Sequence, residues 1–177
     1  MELTLLKEEN EQLKRELEQV SNLLPYAKYH YSLTRLNYKE NYSTTKIHIQ
    51  GGQDKDYKEG QAIINEFGLV GIIEKVGKEE SSATLLTGLS NFSVRINNAY
   101  GTITGYQDGV FIIENISNYD EVHLNDEVYT SSLGNIKENL FIGSVSEIEG
   151  QTIEKKIKMK SKVDFKEIHY LYVVGDV

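Results

Sequence analysis

The 177-residue chain contains no cysteine, so disulfide staples and thiolate metal sites are excluded. It holds one proline, Pro25. No apolar run approaches the roughly 20 residues of a membrane-spanning helix, and no signal peptide is present. Met1 opens directly on heptads, as expected of a cut piece whose anchor lies upstream. Positive charge is scarce too. Net charge is -8, and Lys155, Lys156, Lys158, Lys160 and Lys162 form the single basic run. Nucleic-acid binding relies on phosphate neutralisation, so nucleic acid is not expected as a partner. What is present suits a folded protein: 26 % charged and 39 % hydrophobic residues, with length for one domain or two small ones.

The chain is organised around its first stretch. Leu3, Leu6, Asn10, Leu13, Leu17, Val20 and Leu24 recur at alternating steps of three and four. This is a heptad with Leu3, Asn10, Leu17 and Leu24 at a and Leu6, Leu13 and Val20 at d. A 3.5-residue period keeps one seam toward a partner helix. Glu2, Glu9 and Glu16 fall at g; Lys7 and Lys14 fall at e. A parallel in-register dimer sets Glu2 against Lys7 and Glu9 against Lys14. Such exposed pairs bias orientation more than they stabilise. Asn10 adds a second bias, because a buried amide favours the same amide across a two-stranded seam. These features predict a parallel homodimer through about three heptads, near the lower limit for persistent pairing. The alternative is one amphipathic helix packed on its own domain.

Leu24-Pro25 ends the coil, since proline lacks a donor and disfavours helix before it. Tyr26, Tyr29, Leu33 and Leu36 resume a three-four spacing, which predicts a second helical segment from about Tyr26 to Tyr38. From Thr45 the period becomes two. Strands are expected at Lys46–Ile49, Gln61–Ile64, Gly68–Val76, Ala83–Leu86, Phe92–Ile96, Thr102–Tyr106, Val110–Glu114, Glu127–Thr130, Ile142–Ile148, Thr152–Met159 and Ile168–Val174. Turn residues separate them: Asn97-Asn98, Gln107-Asp108-Gly109, Asn125-Asp126, Gly134-Asn135 and Glu149-Gly150. Gly68 and Gly71 inside one strand mark a bend suited to a small closed barrel. In Thr152–Met159, Ile153, Ile157 and Met159 share one face and the lysines the other, so the basic run reads as the wet side of a strand. Eleven short strands without an interposed helix indicate barrels or a sandwich.

Catalytic chemistry finds little support. His30, His48, His123 and His169 do not pair at metal-ligand spacing. A Ser-His-Asp set sketched from Ser131 or Ser132, His123 and Asp126 lacks the Gly-x-Ser-x-Gly elbow. Gly51, Gly52, Gly68 and Gly71 are not a phosphate loop, for no lysine-threonine follows and no helix opens there. No catalytic, cofactor or metal residue is assigned.

The order of motifs carries a resemblance. The heptads are followed by Tyr57-Lys58-Glu59-Gly60-Gln61-Ala62-Ile63-Ile64 and Phe67-Gly68-Leu69-Val70-Gly71-Ile72-Ile73. Then come Thr84-Leu85-Leu86-Thr87, Gly101-Thr102-Ile103-Thr104-Gly105, Asn125-Asp126-Glu127-Val128-Tyr129-Thr130-Ser131-Ser132 and Ile142-Gly143-Ser144-Val145. Together they resemble the extracytoplasmic part of the rod shape-determining protein MreC family, over nearly the whole chain. Asn125 and Ser132 stand where the family has turn glycines, and Glu138-Asn139-Leu140 where Pro-x-Gly is common.

The resemblance implies a mainly β fold: an N-terminal coiled-coil helix, then two small β-barrels, one chymotrypsin-like in shape and non-catalytic. Strand counting suggests a helical dimerisation segment at 1–42, a first barrel at 43–87 plus 150–177, and a second at 88–149. The implied function is a non-enzymatic scaffold for bacterial cell shape and side-wall peptidoglycan synthesis, without cofactors. Implied partners are MreD, MreB and the elongation transglycosylase and transpeptidase, with further self-assembly through strand edges and grooves. The implied location is the extracytoplasmic face of the cell membrane, anchored by an N-terminal span absent from this chain. An adaptor protein of a periplasmic export system is the rival reading. It normally carries a helical hairpin within a β domain, whereas here the coil is N-terminal. A chymotrypsin-like protease is the third.

Overall fold

The computed structural model describes residues 2–23, 29–40, 42–150 and 153–175. The 3.5-residue period is helical there: α1 spans Glu2–Leu23. Twelve strands follow among the described residues. They are β1 (His30–Lys39), β2 (Lys46–Gln50), β3 (Ala62–Asn65), β4 (Gly68–Val76), β5 (Glu80–Leu85), β6 (Phe92–Ile96), β7 (Ala99–Gln107), β8 (Val110–Ser117), β9 (Glu127–Thr130), β10 (Phe141–Gly150), β11 (Glu154–Lys160) and β12 (Tyr170–Gly175).

The strands close into two six-stranded antiparallel barrels, ordered β1-β12-β3-β4-β5-β2 and β10-β11-β8-β7-β6-β9. The second lies between β5 and β12 in sequence, so it interrupts the first. Asn97 (φ 54°), Asp108 (φ 53°) with Gly109 (φ 81°), and Asn125 (φ 68°) adopt the left-handed backbone their turns require. Asn and Asp tolerate that region by bonding locally. Asn125 therefore meets the backbone demand of its turn without a glycine.

Period-two alternation places Ile47, Ile49, Ile63, Val70, Ile73, Ala83, Leu85, Leu171 and Val173 in the core of the first barrel. The opposite face of β3 and β12 is buried as well. Ala62, Ile64, Tyr172 and Val174 join one cluster with Val94, Ile103, Phe111, Val128 and Ile142 of the second barrel. Burial on both faces makes β3 and β12 the wall that fuses the barrels. Gly68 lies at this junction. Its φ is +136°, and an added Cβ would stand 2.9 Å from the Phe141 carbonyl oxygen. Val70 is the extra residue where the β3–β4 ladder shifts register, pairing Ile63 with Gly71 and Ile64 with Leu69. That bulge supplies the bend expected of Gly68-x-x-Gly71.

Four expectations need correction. The second helical segment is strand β1 over His30–Lys39; residues 26–28 lie outside the described ones. Tyr29, Tyr31 and Leu33 already alternate at period two, and all three pack on the shared cluster. Leu36 packs on the core of the first barrel, the other side of the strand from Leu33, and that three-residue step between two buried faces imitates a helical spacing. Strand β11 pairs with β10 and β8, so it belongs to the second barrel, not the first. Ile153 precedes β11 and is exposed, while Ile157 and Met159 are buried. Both barrels are closed, so each described strand has two neighbours and, among the described residues, no free edge is offered for pairing.

Candidate interaction surfaces

Of the sketched catalytic residues, His123 and Asp126 are brought together, Nδ1 lying 3.8 Å from Oδ2, but the serine is held apart from them. Asp126 and Ser131 flank opposite ends of β9, five residues or roughly 16 Å apart at strand rise. Ser131 is buried, and its Oγ accepts the Leu133 backbone N–H at 3.0 Å. Asp126 Oδ2 accepts the backbone N–H of His123 at 2.8 Å and Asn97 Nδ2 at 2.9 Å. Its carboxylate braces the 123–126 turn, and no serine is near enough to complete a triad. His48 lies on the outer face of the first barrel, stacked on Tyr38 with centroids 4.3 Å apart. Its Nε2 is 2.9 Å from Glu40 and its Nδ1 3.2 Å from Glu80. Among the described residues no three His, Asp or Glu side chains converge to hold a metal.

The basic run is the outer face of β11. Lys158 lies 3.2 Å from Glu147 and 3.7 Å from Glu149 on β10. Those carboxylates hold its ammonium above the usual lysine range, Glu147 foremost. The middle lysine of the run is thus neutralised across the strands.

Helix α1 presents its seam outward. Leu3, Leu6 and Leu13 are 67 %, 55 % and 47 % exposed, and Asn10 is exposed beside them. Leu17 and Val20 also lie on α1; Leu24 falls outside the described residues. The helix nevertheless touches the barrels. Glu16, at a g position, is only 9 % exposed. Its backbone carbonyl accepts the Tyr172 hydroxyl at 3.1 Å. Its Oε1 accepts Gln12 Nε2 at 3.3 Å, and its Oε2 is buried with no partner among the described residues. Burial, then the carboxylates of Glu16 and Glu66, push the Tyr172 phenol up to about 12. Sequence reasoning missed this contact. Glu16 looks like a solvent residue at g, and the tyrosine that meets its carbonyl lies 156 positions later.

The return segment from β11 to β12 contributes to two concave surfaces. Val163 and Ile168 fill the first barrel and Phe165 reaches both core clusters, its ring 6.2 Å from that of Phe111. Lys39 Nζ fastens the segment from β1, donating to the carbonyls of Lys166 at 2.6 Å and Phe165 at 3.2 Å. One, a groove between the barrels, is lined by Lys39, Glu40, Lys46, Tyr106, Phe165 and Lys166. The second, a smaller cleft of about 230 Å³, is formed by the β3–β4 turn and the start of β12.

Comparison with known proteins is consistent along the chain. Residues 36–175 match a family model described as rod shape-determining protein MreC, barrel core. The cell shape-determining protein MreC of Streptococcus pneumoniae is 25 % identical over 143 residues, covering 74 % of this chain and 53 % of that protein. The chain thus spans about half the length of that curated relative. A solved MreC structure from Listeria monocytogenes superposes with a TM-score of 0.78 at 20 % identity, covering 98 % of this chain and 90 % of the other. An MreC chain from Helicobacter pylori, solved in complex with penicillin-binding protein PBP2, superposes with a TM-score of 0.63 at 21 % identity. It covers 82 % of this chain and 99 % of that one.

Proposed function

This chain belongs to the rod shape-determining protein MreC family, and from that premise we propose that it is a non-enzymatic scaffold of side-wall peptidoglycan synthesis. The observation that carries the reading is the disposition of α1. Its foot is held on the barrels at Glu16, while Leu3, Leu6, Asn10 and Leu13 face away from them. A leucine seam left in water is stabilised by a second seam. The scaffold is therefore a parallel homodimer, with each fused pair of barrels carried at the end of a short stalk.

The fused barrels offer rigid grooves to partners. Support for a wall-synthesis partner comes from the Helicobacter pylori relative, solved with PBP2, a penicillin-binding protein. A transpeptidase of that class is the first partner in this reading, followed by MreD, MreB and the elongation transglycosylase. The protein works at the extracytoplasmic face of the membrane, where the wall is built. The export-adaptor reading gains nothing from the structure: α1 is a single helix ahead of β1, not a hairpin inside a β domain.

Complementation of a rod-shaped cell depleted of its own shape protein tests the proposal, with the chain returned behind a membrane anchor. Ser131→Ala should restore rods as wild type does. Leu6→Glu combined with Leu13→Glu should give a folded, monomeric protein and round cells. Rods supported by that monomer, or round cells with a stable Ser131→Ala protein, would refute a dimeric, non-catalytic scaffold.

A further inference from the structure

Helix α1 touches the barrels over little of its surface. Among the side chains described on it, those of residues 2–16, Glu16 alone is buried and Gln12 is half-buried; the others are exposed. Neither core cluster includes any of these side chains. Leu23 ends the helix and His30 opens the next strand, so no continuous helix carries the stalk into a barrel. Among the described residues, one hydrogen bond joins the two parts, from the Tyr172 hydroxyl to the Glu16 carbonyl at 3.1 Å. What the helix buries at this point is a carboxylate. Its Oε1 accepts Gln12 Nε2, from the same helix, at 3.3 Å. Its Oε2 is buried with no donor among the described residues.

The two halves of this contact oppose each other. The hydrogen bond favours the docked helix by a factor of about three to ten, its net value after exchange with water. A carboxylate oxygen buried without a donor disfavours docking by at least about as much, since undocking returns it to water. The Tyr172 phenol is pushed up to about 12, first by burial and then by the carboxylates of Glu16 and Glu66, so the Glu16 charge is felt at the contact itself. Burial of leucine would tip the balance toward docking, but Leu3, Leu5, Leu6 and Leu13 are exposed.

We propose that Glu16 and Tyr172 form a latch held close to balance, from which α1 releases and to which it returns. Docked, the stalk and the fused barrels keep one angle. Released, Glu16 regains water, the Tyr172 hydroxyl becomes available on the wall that fuses the barrels, and the barrels change their angle to the stalk. A ligand that binds one of the two forms better shifts the equilibrium by its differential affinity. A partner that covers Tyr172 therefore selects the released form, and one that bridges α1 and the barrels selects the docked form. The latch acts within one chain, so it stands whether or not the seam pairs with a second copy.

Distances between two nitroxides on the full chain test the latch. No native cysteine competes for the label. Glu8→Cys on α1, at an f position away from the seam, and Glu167→Cys on the return segment carry the nitroxides at exposed sites. Labelled chains diluted into excess unlabelled protein report distances within one chain. Wild type should show two populations in comparable amounts, one narrow and one displaced from it. Glu16→Met keeps the length of the side chain and the backbone carbonyl but removes the unanswered charge. It should raise the ratio of docked to released chains about tenfold. Tyr172→Phe should lower that ratio by about three- to tenfold. Unmoved amide signals of Ile63 and Val128 confirm folded barrels in both variants. A single population in wild type, or a Glu16→Met chain no more docked than wild type, would overturn the proposal.

Discussion

The Tyr172 hydroxyl donates to the backbone carbonyl of Glu16 across 3.1 Å and 156 residues of chain. It joins the last strand of the first barrel to the α1 stalk. Glu16 occupies a g position, and the seam leucines Leu3, Leu6 and Leu13 stay exposed. One contact thus orients a helix whose own apolar face is reserved for something else. Two readings of the heptads, a coil and a helix packed on its own domain, meet here at different positions of one helix.

Tyr172→Phe removes the hydroxyl and keeps the packed ring. It should loosen α1 by about 1 kcal/mol, the net value of one hydrogen bond. Amide exchange around residues 12–16 should quicken while barrel amides stay protected. A pH dependence follows as well. The folded phenol titrates near 12 against an ordinary 10, so the unfolded chain binds fewer protons between those values. The contribution is fully present below pH 10 and fades as pH rises toward 12. Wild type should lose stability over that window faster than Tyr172→Phe, read by denaturant midpoints at pH 9.5 and 11.5.

Asn10 is the polar residue of the seam. Asn10→Leu should strengthen self-association by about 1–3 kcal/mol through relief of polar burial, while loosening register and oligomer state. Sedimentation across concentrations measures the first effect. The chain has no cysteine, so Leu3→Cys reports parallel pairing without background. Failure of that variant to crosslink within a dimer would rule out the parallel seam.

Gly68 sits where the barrels touch. Ala there meets both a φ of +136° and the Phe141 carbonyl oxygen at 2.9 Å. Gly68→Ala should cost about 1–3 kcal/mol, the scale of a backbone forced into a disfavoured region. Gly105→Ala is the control, because its Cβ would enter open space and its φ is ordinary. Thermal unfolding should separate the two clearly; equal midpoints would show that the junction yields.

Strand β1 bridges β12 and β2, so the first barrel cannot close without it. A chain beginning at His30 should fold with almost no helical circular dichroism, since α1 is the one α-helix among the described residues. A chain beginning at Thr45 should also lack helix but expose the edges of β2 and β12 and aggregate. Equal solubility of the two would contradict the closed barrel.

Local pattern and long-range partnership divide what could be read. The 3.5-residue period of Leu3 to Leu24 specifies a helix with an apolar seam, because side-chain direction on a helix follows spacing alone. Alternation after Thr45 specifies strands for the same reason. The turns at Asn97, Asp108-Gly109 and Asn125 are written in residues that accept positive φ. The ordered motifs from Tyr57 to Val145 carried the family.

Partnership was not written locally. His30–Lys39 spaces its apolar residues ambiguously because Leu33 and Leu36 pack on different core clusters, and its strand identity comes from β12, far along the chain. Lys155–Lys160 alternates equally well for either barrel; pairing with β8 and β10 decides between them. Glu16 and Tyr172 each satisfy their own local pattern. The sequence by itself determined which residues turn inward along each element. Only closure of the two barrels decided which elements meet, since burial and hydrogen-bond satisfaction across the ladders are properties of the whole assembly of strands.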